Sequence, residues 1–188
     1  KEVGLALNFE ARGSSGPSYM LMETNKGNAG LVNEFSKAGV TYPVSNSLMY
    51  SIYKMLPNDT DLTVFREKGN IQGLNFAFID DHYNYHTQQD DAQHLAKNTL
   101  AHQGRYLMPL LTYFSNANLD AVQATEDEVY FTIPFTFISY PFDWVLPMTL
   151  IAVGLLILLV FIGKAKRILK LQDIMKGFFP FLGALIVT

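Results

Sequence analysis

The stretch GLNFAFIDDHYNYHTQQD, residues 73–90, joins a hydrophobic run to a polar segment that contains a Tyr-His-Thr triplet. The run from Leu74 to Ile79 predicts a buried strand, because short apolar runs between turn residues are typical of strands. In an open α/β sheet, ligands bind at loops that leave the carboxyl ends of strands. His86, in such a loop, is therefore placed to bind a ligand.

Strand and helix patterns alternate along the first two thirds of the chain. Strands are predicted at Val3–Phe9, Ser18–Glu23 and Leu74–Ile79, and helices at 28–37, 47–56, 62–68 and 91–114. This alternation is typical of an α/β sandwich. We therefore expect a mostly parallel sheet covered by helices.

A hydrophobic segment of another kind follows residue 141. Residues 144–163, WVLPMTLIAVGLLILLVFIG, contain no charged side chain. Because about 20 apolar residues span a bilayer as a helix, this segment predicts a transmembrane helix and lipid as a partner. Lys164, Lys166 and Arg167 follow it, and the positive-inside rule assigns them to the cytoplasm. We expect an integral membrane protein with residues 1–140 on the extracytoplasmic or lumenal side.

The termini lead us to expect a piece of a larger protein. Lys1 opens directly on a strand pattern, and a second hydrophobic run from 178 is too short to span a membrane. The predicted organisation is a partial α/β domain over 1–125, an extended connector over 126–143, a transmembrane helix over 144–163, a basic cytoplasmic loop over 164–177 and the start of a second transmembrane helix over 178–188.

Composition excludes several classes of function. The net charge of −3 argues against a nucleic-acid partner. The chain has no cysteine, so disulfides, thiolate metal sites and cysteine nucleophiles are excluded.

The loop around His86 offers chemically useful neighbours. Tyr85 carries a phenol and Thr87 a hydroxyl, and Asp90 is close enough in sequence to orient the imidazole, as metal-bound histidines require. A lone histidine in a loop is nevertheless more often a surface residue. His82 has helical spacing to His86, but the loop pattern argues against a helix there.

Glu10 follows the first predicted strand and is the second candidate ligand. Zinc accepts both carboxylate oxygen and imidazole nitrogen, but a catalytic zinc takes three protein ligands and an open position. The alternative is a solvated carboxylate at a strand end. His94 and His102 lie on the predicted long helix, where packing or surface roles are more usual.

Taken together, several stretches resemble the M28 family of zinc peptidases, in its membrane-bound branch of endoplasmic-reticulum and vacuolar metallopeptidases with bacterial relatives. They are LNFEARGSSGP at 7–17, PNDTDLTVF at 57–65, GNIQGLNFAF at 69–78 and YHTQQD at 85–90. The resemblance implies a zinc exopeptidase fold and a site with two zinc ions that hydrolyses peptides. Glu10 would be the acidic ligand to one zinc, His86 the last ligand to the other, and Tyr85 the residue that stabilises the oxyanion.

The other ligands and the general base of the family have no match in this chain. We expect them before Lys1, in the missing N-terminal half of the same peptidase domain, so this piece alone should be inactive. The leading hypothesis is a membrane-anchored, aminopeptidase-like zinc exopeptidase. One alternative is a non-catalytic M28-like ectodomain that acts as a binding or receptor module, and another is cyclisation of N-terminal glutamine on the same fold.

Overall fold

The computed structural model describes residues 3–56, 59–134 and 136–187, and the chain divides into two compact units, the first ending at Phe142. Pro57 and Asn58, which open one of the motif stretches, lie outside the described residues. The strands of the first unit are β1 (Ala6–Ala11), β2 (Ser15–Glu23), β3 (Gly73–Asp80), β4 (Glu128–Ile133) and β5 (Thr136–Pro141). Its helices are α1 (Ala29–Lys37), α2 (Ser47–Tyr53), α3 (Asp61–Gly69) and α4 (Lys97–Phe114).

The main sheet is mixed, with strand order β1-β3-β2. Strand β1 pairs with β3 in parallel, whereas β2 pairs with β3 antiparallel. The expectation of a mostly parallel sheet is therefore not confirmed. A parallel β2 would need a crossover of about a dozen residues, but only residues 12–14 separate β1 from β2.

The two faces of this sheet differ in polarity, because side chains alternate along each strand. On one face, Met22, Leu74 and Phe76 are completely buried in the hydrophobic core. The ring of Phe76 stacks on Phe9 with centroids 4.5 Å apart. Helix α4 packs on β2, and residues of α1 and α4 complete this core. The opposite face carries polar side chains, including Glu10, and α3 packs on β1 and β3.

Most predicted bounds differ from the observed ones by three residues or fewer, and two predicted elements differ more. Helix α4 begins at Lys97 and not at 91, because the Asp91 carboxylate accepts hydrogen bonds from the backbone N–H groups of Gln93 and His94 in a local turn. The connector predicted over 126–143 is not one extended segment. It is an antiparallel hairpin of β4 and β5, in which Ile133 lies opposite Thr136.

The described part of the second unit forms helices α5 (Val145–Ala165) and α6 (Leu171–Val187). Among the described residues, one helical stretch, Phe142–Ala165, is long and apolar enough to cross a membrane, with a mean hydropathy of 2.9. The interval 164–177, expected as a loop, is helical from Leu171 onward.

Helix α3 begins at a reciprocal cap. The Thr60 hydroxyl accepts from the Thr63 backbone N–H at 3.4 Å, and the Thr63 hydroxyl accepts from the Thr60 N–H at 3.2 Å. Thr60→Ala is therefore expected to lower the free energy of unfolding by about 1 kcal/mol. Urea unfolding of the purified chain in detergent, followed by near-ultraviolet circular dichroism, measures this. Thr60→Ser keeps the hydroxyl and is the control, so an equal loss in both variants would contradict the capping role.

Candidate functional site

The carboxyl ends of β1 and β3 lie at the same edge of the sheet. These strands are parallel, and Glu10 in β1 pairs with Ala77 in β3. Strand β3 ends at Asp80, and the loop 81–96 begins there. The strand that carries Glu10 and the loop that carries Tyr85 and His86 therefore share one edge, as is usual for ligand sites in α/β sheets.

Glu10 is a half-buried carboxylate. The Asn8 amide donates to its Oε1 at 2.5 Å and to Asn75 Oδ1 at 3.0 Å, which fixes the position of the amide. Burial raises the pKa of Glu10, and this outweighs the opposing effect of the Asn8 hydrogen bond. Asp61 raises the pKa further, whereas Arg12 acts in the opposite direction. No described lysine or arginine forms a salt bridge with Glu10, so its negative charge is available to a bound cation.

Tyr85 and His86 form a stacked pair beside the end of β1. Their ring centroids lie 3.8 Å apart with an interplanar angle of 19°. The guanidinium of Arg12, two residues after Glu10, lies 6.0 Å from the centroid of the Tyr85 ring. The segment that follows Glu10 and the ring next to His86 are thus in contact.

The backbone of the loop is held by short-range hydrogen bonds. Asp90 Oδ2 accepts from the backbone N–H of His86 at 3.1 Å, so its carboxylate fixes the backbone and not, as expected, the imidazole. The Thr87 hydroxyl donates to the Asn84 carbonyl at 2.7 Å. His86 itself is exposed and has a left-handed backbone with φ of 57°.

Asn84 is a supporting residue that the sequence analysis missed. It is buried, and its side-chain amide donates to the Ser14 hydroxyl at 2.7 Å, which ties the loop to the β1–β2 connection. Its partner is 70 residues away in sequence, and no local pattern signals such a contact.

The β1–β2 connection runs directly against the end of β3. The Ser14 N–H donates to the Asp80 carbonyl at 3.0 Å. A Cβ atom at Gly13 would lie 2.2 Å from the same carbonyl oxygen, so only glycine fits this approach. Steric exclusion of any side chain therefore explains why the motif at 7–17 has glycine at position 13.

The other histidines have structural contacts. His102 Nδ1 accepts from the Ser18 N–H at 3.0 Å, and its Nε2 lies 3.0 Å from the Tyr42 carbonyl oxygen. His94 Nδ1 lies 2.8 Å from Asp91 Oδ1. The short 3-10 turn that contains His82 ends at Asn84, so His82 and His86 are not a helical pair.

The donor types of this edge fit zinc, but their number does not. Glu10 offers carboxylate oxygen and His86 imidazole nitrogen, both of which zinc takes in proteins. Within the part of the chain that the structure describes, no three His, Cys, Asp or Glu side chains are grouped to hold a metal ion. These residues therefore form at most part of a ligand set.

Comparison with known proteins identifies the class of this domain. A sequence model of peptidase family M28 matches residues 1–111, which is more than half of the chain. The chain belongs to peptidase family M28. No solved structure matches it significantly.

Curated relatives indicate the branch of the family. The chain is 28% identical over 115 residues to endoplasmic reticulum metallopeptidase 1 of Rattus norvegicus, covering 60% of this chain and 13% of the relative. It is 27% identical over 136 residues to putative endoplasmic reticulum metallopeptidase 1 of Schizosaccharomyces pombe, covering 70% and 16%. It is 25% identical over 150 residues to the vacuolar membrane protease of Meyerozyma guilliermondii, covering 73% and 15%. The resemblance to the membrane-bound branch is confirmed, although the chain spans only 13%, 16% and 15% of these relatives.

Proposed function

We propose that the complete protein is a membrane-anchored zinc exopeptidase of the aminopeptidase type. The observation that carries the proposal is the half-buried carboxylate of Glu10, which forms no salt bridge with a described lysine or arginine. It lies on the strand whose end contacts the Tyr85–His86 pair, in a chain of family M28. The relatives are named as metallopeptidases and membrane proteases. Since the chain covers 13% to 16% of such relatives, we infer that other segments complete the site.

In this proposal, Glu10 and His86 hold metal and Tyr85 acts on the substrate. Bound zinc supplies a Lewis acid and lowers the pKa of a water molecule; two ions are expected in the complete site. The Tyr85 phenol donates a hydrogen bond to the oxyanion that develops on the peptide carbonyl. The contacts of its ring with Arg12 and His86 restrict its orientation, so less ordering is needed when substrate binds.

The proposed location is the lumenal or extracytoplasmic face of a membrane. Helix α5 would span the bilayer, and the cations that follow it, Lys164, Lys166 and Arg167, would lie in the cytoplasm. The peptidase domain, which precedes α5, would then face the opposite side.

Metal removal tests this function in the complete protein purified in detergent. A chelator is expected to abolish hydrolysis of a peptide with a free N-terminus, and added zinc to restore it. The same peptide with an acetylated N-terminus should remain intact. Equal cleavage of both peptides would contradict exopeptidase action, and no cleavage by the zinc-loaded protein would favour the binding-module alternative.

A further inference from the structure

Helix α2 and the turn that follows it present a hydrophobic stripe to solvent. Leu48 and Ile52 on α2 and Met55 in the turn, spaced at i, i+4 and i+7, are 67%, 49% and 84% exposed. Tyr50 and Tyr53, on the other side of the helix, face the interior. Removing apolar side chains of this size from water is favourable, so a stripe of them indicates a surface that is covered in the working protein.

The surface beneath α2 explains why tyrosines face it. The sheet below it is polar at this point, where Glu23 is buried and pairs with Arg66 at 3.2 Å. Tyr50 and Tyr53 line a small cavity together with these two residues. Burial raises the pKa of Tyr50 to about 12, which keeps the phenol neutral. Tyrosines can face such a polar surface more readily than leucine or isoleucine can.

Helix α2 is also fixed beside the residue at which the apolar stretch begins. The Ser47 hydroxyl donates to the Tyr130 carbonyl at 3.1 Å and accepts from the Tyr130 N–H at 2.7 Å, which attaches α2 to the β4–β5 hairpin. Phe142 follows this hairpin and lines a cavity of about 210 Å³ with Tyr50, Ser51 and Lys54 of the α2 segment. Phe142 is the first residue of the candidate membrane span.

We propose that the stripe formed by Leu48, Ile52 and Met55 docks on the lipid bilayer, at the boundary between headgroups and acyl chains. The inference rests on the membrane anchoring proposed above. If the span from Phe142 crosses a bilayer, the proximity of Phe142 to α2 holds this helix within reach of the lipid surface. Such tethering raises the local concentration, so a short stripe that would bind lipid weakly alone is sufficient.

The composition of α2 fits a lipid surface better than a second protein. Exposed aliphatic side chains on one side and a lysine at the edge are typical of helices that lie in the interface of a membrane. Lys54 lies over the Tyr50 ring, with Nζ 4.6 Å from the ring centroid, at the border of the stripe. From there its ammonium can reach lipid phosphate while the aliphatic residues contact acyl chains.

The absence of cysteine from the chain allows a direct test. The full chain carrying Met55→Cys, labelled with an environment-sensitive fluorophore, is reconstituted in phosphatidylcholine vesicles that contain brominated lipid. Met108→Cys is the matched control, since Met108 is another exposed methionine (64%) on α4. The label at position 55 is expected to show a blue-shifted emission and several-fold stronger quenching than the label at position 108.

A third label separates failure of the inference from failure of the anchor. Ile157→Cys reports on α5. Quenching at 157 with no more quenching at 55 than at 108 would overturn the docking of α2 and leave the anchor intact. Absence of quenching at 157 would overturn the anchor, and the docking with it. The label at position 55 could instead show a blue shift that grows with the protein-to-lipid ratio and no quenching by brominated lipid. That result would assign the stripe to contact with a second copy of the chain and would also overturn the proposal.

Because the fluorophore is itself apolar, it could insert into lipid without the stripe. The label at position 55 is therefore also measured in a chain that carries Leu48→Asp and Ile52→Asp. Quenching is expected to fall to the level at position 108. Unchanged quenching would mean that the label alone seeks lipid, and the proposal would be wrong.

Discussion

Replacing His86 by asparagine in the complete protein is expected to abolish peptide hydrolysis and to lower the zinc content while the fold remains intact. His86 is exposed, and its imidazole stacks on Tyr85 without filling a core position. With a φ of 57°, its backbone lies in the left-handed region, which asparagine tolerates better than alanine does. Removing a residue that hydrogen-bonds to a metal ligand costs about 10–100-fold in metal affinity or activity, so removing the ligand itself should cost more.

His82 provides the matched control for this substitution. It lies in the same loop and is also exposed. His82→Asn is expected to keep zinc content and turnover, which are measured by elemental mass spectrometry and by hydrolysis of a peptide with a free N-terminus. Full activity of His86→Asn would remove His86 from the site. A loss of activity with normal zinc content would instead assign it a role in substrate binding.

Local patterns predicted most of the elements but not the direction of the strands. The run at 73–80 and the capped helix at 61–69 were predicted nearly in full, because periodicity and capping residues are local signals. The reversal of β2 depends on the short connection at 12–14, whose length also brings Gly13 against Asp80. The orientation of α2 was not predictable from local spacing, because hydrophobicity alone does not show that the surface below this helix is polar.

The candidate site was predictable only in part. Glu10, Tyr85 and His86 were chosen from sequence and remain predictions as ligands and oxyanion donor. Their supports, the Asn8 amide on Glu10 and the Asn84–Ser14 bond, were not predicted. The Asn84–Ser14 bond joins residues that are 70 positions apart, and such contacts arise only when the sheet has formed.

Gly13→Ala is expected to lower the free energy of unfolding by about 3 kcal/mol, toward the upper end for overpacked sites. The new Cβ would lie 2.2 Å from the Asp80 carbonyl oxygen and 2.6 Å from that of Ile79. Both are backbone atoms and cannot rotate away, so the connection must move from the end of β3. That movement would break the Ser14–Asp80 and Ser14–Asn84 hydrogen bonds that hold the loop with His86. Hydrolysis by the complete protein should therefore be lost together with stability.

Gly104→Ala is the control, because the added methyl group would meet no described atom within 4 Å outside the backbone of its own helix. Inside α4 this change should stabilise the protein by about 0.5–1 kcal/mol, since alanine favours helix more than glycine does. Urea unfolding of both variants in detergent gives the comparison. If Gly13→Ala unfolds at the same urea concentration as the unaltered chain, the β1–β2 connection does not lie against β3 as described. If it is destabilised but keeps full zinc content and turnover, the connection supports the sheet and not the loop, and the position of His86 does not require the hydrogen bonds of Ser14.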